Sequence, residues 1–168
     1  MPRRITSPVP DPDRDAALYA WHEVETEADL TALQQAAAAF HDAVISGMKL
    51  ETGCRYAAGE GMYLPSAPEG RLLLYVDSDW FGRMELAFSG VRSFRFQPYT
   101  ENFFPEIQEA SVSFRTDLLG KTRDDRMIVW ADGCFDPFVP ERLDLRSVPT
   151  SYIIAQALQW RLLQKSEE

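Results

Sequence analysis

Between Ala43 and Ala131 the chain passes through strand-length stretches of alternating apolar and polar residues, with no helical stripe between them. Met84, Leu86 and Phe88 alternate with Arg83, Glu85, Ala87 and Ser89. Ala110, Val112 and Phe114 alternate with Ser111, Ser113 and Arg115. A period of two puts each set on its own face of a sheet. Parallel strands need crossovers of a dozen or more residues, usually helical, and none lies between these strands. The pattern predicts antiparallel sheet.

The rest of the chain fits around that frame. Leu72, Leu73, Leu74, Tyr75 and Val76 form an apolar run expected of a strand covered on both faces. Residues 43–57 read as one long strand, with Val44, Met48 and Leu50 on one side and Ile45, Lys49 and Glu51 on the other. Residues 127–131 make a further strand, and Phe94 and Phe96 resume the alternation after Gly90, which marks a bulge or tight turn. Residues 152–162 fit either period; the leading β-branched residues favour a strand, with Gln156 as its one polar inside position. Residues 18–24 read as a short edge strand carrying a solvated His22. Gly59 to Gly70, Pro98 to Pro105, Asp117 to Arg126 and Cys134 to Pro149 read as loops.

One helix is predicted, from about residue 27 to 40. Thr26 and Asp29 have capping-box spacing. Glu27 and Asp29 place negative charge at the positive end of the helix dipole. Leu30, Leu33, Ala37 and Phe40 form one apolar stripe, and the alanines at 36–39 favour helix. The expected fold is therefore α+β. It is mainly antiparallel β-sheet, a sandwich or strongly curved sheet of about seven or eight strands, with one N-terminal helix packed on it.

A length of 168 residues suits one domain, burying roughly two-thirds of its unfolded surface. That domain is expected to span residues 16–168, behind a proline-rich, flexible tail over residues 1–15. The formal charge of -9 repels phosphate backbones and anionic lipid, so neither nucleic acid nor membrane is expected as a partner. Cys54 and Cys134 lack the spacing of a metal site and read as reduced, half-buried small hydrophobes, with a strand-to-loop disulfide between them as the alternative. No apolar run reaches ~18 residues. Arg3 and Arg4 are followed by Pro8, Pro10 and Pro12 instead of an apolar signal-peptide core, so a cytoplasmic location is expected.

No phosphate-binding loop, dinucleotide fingerprint, zinc-protease helix or nucleophile elbow is present, and no cofactor is expected. The chemistry-bearing residues fall in two groups. His41 beside Asp42, at the predicted helix exit, either locks that corner or, joined by Asp77, Asp79 or Asp132, holds a divalent ion. Trp80, Phe81, Tyr99 and Phe103 lie in or beside loops, where aromatic side chains either supply binding area or cap the core. Trp130 and Asp132 close the penultimate strand segment.

Several stretches together carry a resemblance. Trp21, the run Val24-Glu25-Thr26-Glu27-Ala28-Asp29-Leu30, Phe40-His41-Asp42-Ala43, and Met84-Glu85-Leu86-Ala87-Phe88-Ser89-Gly90-Val91 resemble a group of small bacterial proteins of unknown function. Trp130-Ala131-Asp132 and Tyr152-Ile153-Ile154-Ala155 are similar too. The shorter Phe-His-Asp-Ala and Phe-Ser-Gly-Val signature is similar to some immunity proteins of bacterial polymorphic-toxin systems. That resemblance implies a non-enzymatic domain that neutralises a toxin domain by binding it, with no catalytic residues to carry over. A homodimer built through sheet edges, and a small metal-dependent or small-molecule-binding enzyme using His41 and Asp42, are the competing expectations.

Overall fold

The alternation resolves into twelve strands in a computed structural model that describes residues 9–65, 70–96, 106–107, 109–118, 125–133, 135, 138 and 151–164. A six-stranded sheet runs in the order β1 (His22–Glu23), β12 (Ala157–Leu163), β6 (Gly82–Ser89), β5 (Arg71–Ser78), β2 (Ala43–Glu51) and β8 (Glu106–Ile107). A second sheet has the order β7 (Ser93–Arg95), β11 (Tyr152–Ala155), β10 (Met127–Asp132) and β9 (Ala110–Arg115). Among the described strands, β3 (Arg55–Ala57) and β4 (Gly61–Tyr63) pair only with each other. Every pairing is antiparallel.

The two sheets share strands at a corner. β6 passes into β7 through Gly90, and β11 passes into β12 through Gln156, while β6 stays paired with β12 and β7 with β11. Gln156 N donates to the Ser89 carbonyl at 3.0 Å, and Gly90 turns with φ +63°. A Cβ at Gly90 would fall 2.3 Å from Gln156 Oε1 and 2.9 Å from its Cβ, so only glycine fits this bend. Leu72, Leu74, Met84, Leu86 and Phe88 of the first sheet meet Val112, Ile128, Trp130 and Ile153 of the second in one core.

Helix α1 spans Glu27–Ala36 and buries Leu30 and Leu33 in that core. Its capping box is complete: Asp29 N donates to Thr26 Oγ1 at 3.3 Å, and Thr26 N donates to Asp29 Oδ2 at 2.8 Å. The helix stops short of the expected Phe40. Ala38, Ala39 and Phe40 take φ of +47°, +53° and +58°, a left-handed turn, and Asp42 follows at +50°. Such conformations cost about 1–2 kcal/mol each for residues with a Cβ. They are held because Phe40, fully buried, packs edge-to-face on Trp130 with ring centroids 6.1 Å apart. A continued right-handed helix would not deliver Phe40 there and also turn the chain into β2.

Two single-residue irregularities reverse the expected faces. The β2–β5 register shifts between Ile45 and Gly47, so Ala43 and Ile45 point inward before the bulge and Met48 packs on the core after it. Val44, expected to share a face with Met48, lies on the opposite face and is exposed. Leu50 does share Met48's face, opposite Leu72 as Met48 is opposite Leu74, but is exposed near the strand's end. At Gln156 the inward set changes from Ile153 and Ala155 to Leu158, Trp160 and Leu162. Gln156 itself is exposed at the corner, not inside.

The expected long strand over 43–57 also breaks, at a turn where Gly53 has φ +77°. β4 lies in what the sequence presents as loop. The predicted edge strand shortens to β1, after a 3-10 turn at Ala16–Tyr19. His22 is not simply solvated: its ring stacks on Trp160 with centroids 4.5 Å apart, and Nε2 donates to the Ala17 carbonyl at 2.7 Å. Within the stretch read as a tail, the Pro10 carbonyl accepts from Tyr19 Oη at 2.7 Å; residues 1–8 lie outside the described residues.

Candidate functional site

β-pairing gathers some of the expected site residues and scatters others. Ala43 pairs with Ser78, so His41 and Asp42, which lead into β2, enter it beside the Asp79–Phe81 turn that joins β5 to β6. His41 Nε2 lies 3.3 Å from Asp42 Oδ2, and both side chains are exposed. Asp77 faces Arg83 across the ladder, and Arg83 Nε and Nη2 donate to its two oxygens at 2.8 and 2.9 Å. Both its oxygens are engaged. Trp80 is exposed at this end, but Phe81 is buried and belongs to the core. Trp130 is core as well: it is fully buried, and its Nε1–H finds no acceptor among the described residues.

Asp132 stands on the other sheet, at the end of β10 opposite Ala110. It is half-buried, and burial pushes its carboxyl up to about 6. Tyr99 and Phe103 lie outside the described residues. Among the described residues no three His, Cys, Asp or Glu side chains form a cluster suited to a metal ion, so His41 and Asp42 do not join Asp77, Asp79 or Asp132 in one.

Two features escape sequence inspection. The first is a rung across the outer face of the six-stranded sheet, where Gly47, Tyr75, Glu85 and Arg161 stand opposite one another on four strands. Glu85 is the one carboxylate buried among the described residues. Arg161 Nε donates to its Oε2 at 2.7 Å, and Tyr75 Oη donates to its Oε1 at 3.1 Å. Trp21 covers the Arg161 guanidinium, 4.3 Å from ring centroid to Cζ. Burial first, then the hydrogen bond to Glu85 and its charge, raise the Tyr75 hydroxyl above the usual phenol value. Both oxygens of this carboxylate are held by groups of its own chain, which makes it a compensated ion pair. In the sequence Glu85 is one of two charges on the alternating polar side of residues 83–89 and Arg161 the one charge of residues 157–163, and nothing local marks them as partners.

The second feature is the arm formed by β3 and β4, which extends beyond β2 and β5 as an isolated ribbon. Tyr56 pairs with Met62, and alternation puts Leu64 on their face. These three side chains are 70%, 70% and 68% exposed. On the opposite face Arg55 lies over the Tyr63 ring at 4.8 Å. Cys54 sits at the base of the arm as a free thiol and, lying in the turn after β2, is exposed instead of half-buried as expected. A two-stranded ribbon with no third strand is marginal alone, and large exposed apolar patches mark interaction sites.

No family model, curated protein or solved structure matches this chain. The reading of its function rests on the molecule itself.

Proposed function

We propose that this domain works by binding another protein, and that the β3–β4 arm is its principal contact. The observation that carries this reading is the bare apolar face of Tyr56, Met62 and Leu64 on a ribbon that no other described strand covers. Charge fits it. Lys49 and Arg55 balance Glu51 and Glu60 around the arm, while the chain as a whole carries -9. An apolar, locally neutral contact within an acidic surface suits a basic partner, drawn in by the field and held by the arm. An immunity-like role against a toxin domain is the specific form of this reading that agrees with the resemblance in Phe40-His41-Asp42-Ala43. No observation favours the metal-dependent alternative, since Arg83 occupies Asp77 and Asp132 stands on the other sheet.

Cys54 offers the test. A photo-cross-linker on this thiol, in a Cys134→Ser background, should trap the product of the adjacent gene when the two are co-expressed. The adduct should vanish when Tyr56, Met62 and Leu64 are all changed to Ser. An adduct that persists in the triple variant, or none in the parent, would overturn the reading. An adduct of twice the chain's own mass would identify the partner as a second copy.

A further inference from the structure

We infer that the groove between α1 and β9 is a docking site for an extended peptide segment of another protein, which adds as a strand to the edge of β9. The surface is separate from the β3–β4 arm and stands or falls independently of it. β9 pairs with β10 over six rungs without a register break, and no described strand pairs with its other side. An edge strand leaves backbone N–H and C=O groups unpaired, and proteins usually guard such edges with proline, charged side chains, a bulge, or a helix or loop laid over the edge. From Ala110 to Phe114 this edge has no proline, charge or bulge; its charged residue, Arg115, stands at the strand's end, and α1 stands across a groove from it.

The groove has a volume of about 430 Å³. Its strand wall is Val112, Ser113 and Phe114. Consecutive strand residues point to opposite faces, so a groove lined by three in a row follows the strand's edge and not one face. The helix wall is Glu27, Leu30, Thr31, Gln34 and Gln35, spaced i, i+3, i+4, i+7 and i+8 on one side of α1. Eight residues of helix rise about 12 Å at ~1.5 Å each. An extended chain covers that length with about four residues at ~3.3 Å each.

Lining chemistry selects the occupant. Leu30 and Val112 give an apolar floor, and Thr31, Gln34, Gln35 and Ser113 give neutral polar rims. Glu27 is the single charge in the lining, and the Arg126 guanidinium stands beside the groove, 3.8 Å from the Phe114 ring centroid. The matching segment is apolar or β-branched at its centre, with a basic residue to meet Glu27 and an acidic one to meet Arg126. Strand addition of this kind draws affinity from main-chain hydrogen bonds and specificity from alternate side chains.

The test uses a fluorescein-labelled peptide, acetyl-Lys-Val-Thr-Val-Glu-amide, and a copy N-methylated at its three central amides. The full chain should bind the first saturably, with a Kd on the order of 10–500 μM, and the methylated copy at least about tenfold more weakly. Thr31→Trp, at an exposed helix position, should fill the groove, leave the thermal melt in place and weaken binding by at least about tenfold. Hydrogen exchange of the β9 amides should slow when the peptide is bound. The inference is overturned if no binding is seen up to about 1 mM, or if methylation and Thr31→Trp leave the affinity unchanged. It also fails if the Tyr56, Met62, Leu64 triple-Ser variant abolishes binding while Thr31→Trp does not; that result would place the peptide on the arm and leave the proposed function standing.

Discussion

The outer face of the large sheet and the arm that grows from it break the usual rules in opposite directions. On the sheet a charge is buried; on the arm large apolar side chains are exposed. Glu85 is tolerated because Arg161, Tyr75 and Trp21 supply its counter-charge, hydrogen bond and cover from the same chain. Tyr56, Met62 and Leu64 have no such cover. An anomaly resolved within the fold is structural. An anomaly left open points outward, to something the chain meets.

That contrast predicts a steep difference in what mutation does. Glu85→Ala leaves a half-covered guanidinium without its carboxylate. It should cost about 2–3 kcal/mol, below the ~3–5 for fully buried pairs because Arg161 is a third exposed. A thermal melt should show a Tm about 5–10 °C lower. A loss under about 0.5 kcal/mol would show that the rung is not compensated from within, and the contrast would collapse.

Asp132 lies between the two cases, half-buried with no counter-charge among the described residues. Its folded pKa is raised from 3.8 to about 6, so the folded chain holds a proton that the unfolded chain has released. Stability from this group is complete below pH 3.8 and is lost as pH rises through about 6. After allowance for solvent screening, Asp132→Asn should stabilise by about 1 kcal/mol at pH 8 and by roughly nothing at pH 4. Denaturant titrations at the two pH values decide this, and equal effects at both would contradict it.

The left-handed turn before β2 is another internally resolved anomaly, and a gentler one to probe. Ala39→Gly should stabilise by about 0.5–1 kcal/mol, because glycine takes positive φ without the Cβ clash. Ala32→Gly, on the exposed side of α1, should instead cost about 1 kcal/mol. Opposite signs for one substitution seven residues apart would mark where the right-handed helix ends. The smallest effect belongs to the arm. Changing Tyr56, Met62 and Leu64 to Ser should move stability by no more than about 0.5 kcal/mol, as for surface positions. A larger loss would mean that the arm's apolar face is covered within the chain after all.

What the sequence reveals follows from which interactions are local. The capping box at Thr26 and Asp29 joins groups three residues apart and is legible. So are the alternation over 83–89 and the interruption at Gly90. The bulge after Ile45 and the break at Gln156 are not. Each inserts one residue and exchanges inside for outside, and period counting carries the wrong phase past it. The alanine run at 36–39 has helix propensity, but tertiary packing of Phe40 on Trp130 overrides it. Phe81 and Trp130 look like binding aromatics by residue type and turn out to be core. Glu85, Tyr75 and Arg161 are separated by up to 86 positions in the chain and meet only through strand register. The β3–β4 arm is hidden because its glycines and Pro65 resemble loop punctuation.

The shared corner at Gly90 and Gln156 has a consequence for how the molecule comes into being. Residues 152–163 provide an interior strand to both sheets, β11 between β7 and β10, and β12 between β1 and β6. Every other described strand precedes them in the chain. The pairings β2–β5–β6 and β9–β10 draw only on earlier residues, but β1 is joined to β6 and β7 to β10 through this ribbon alone, so both sheets are completed by the same long-range contacts. The segment that ties the two sheets into one body also sets the moment at which there is a body at all.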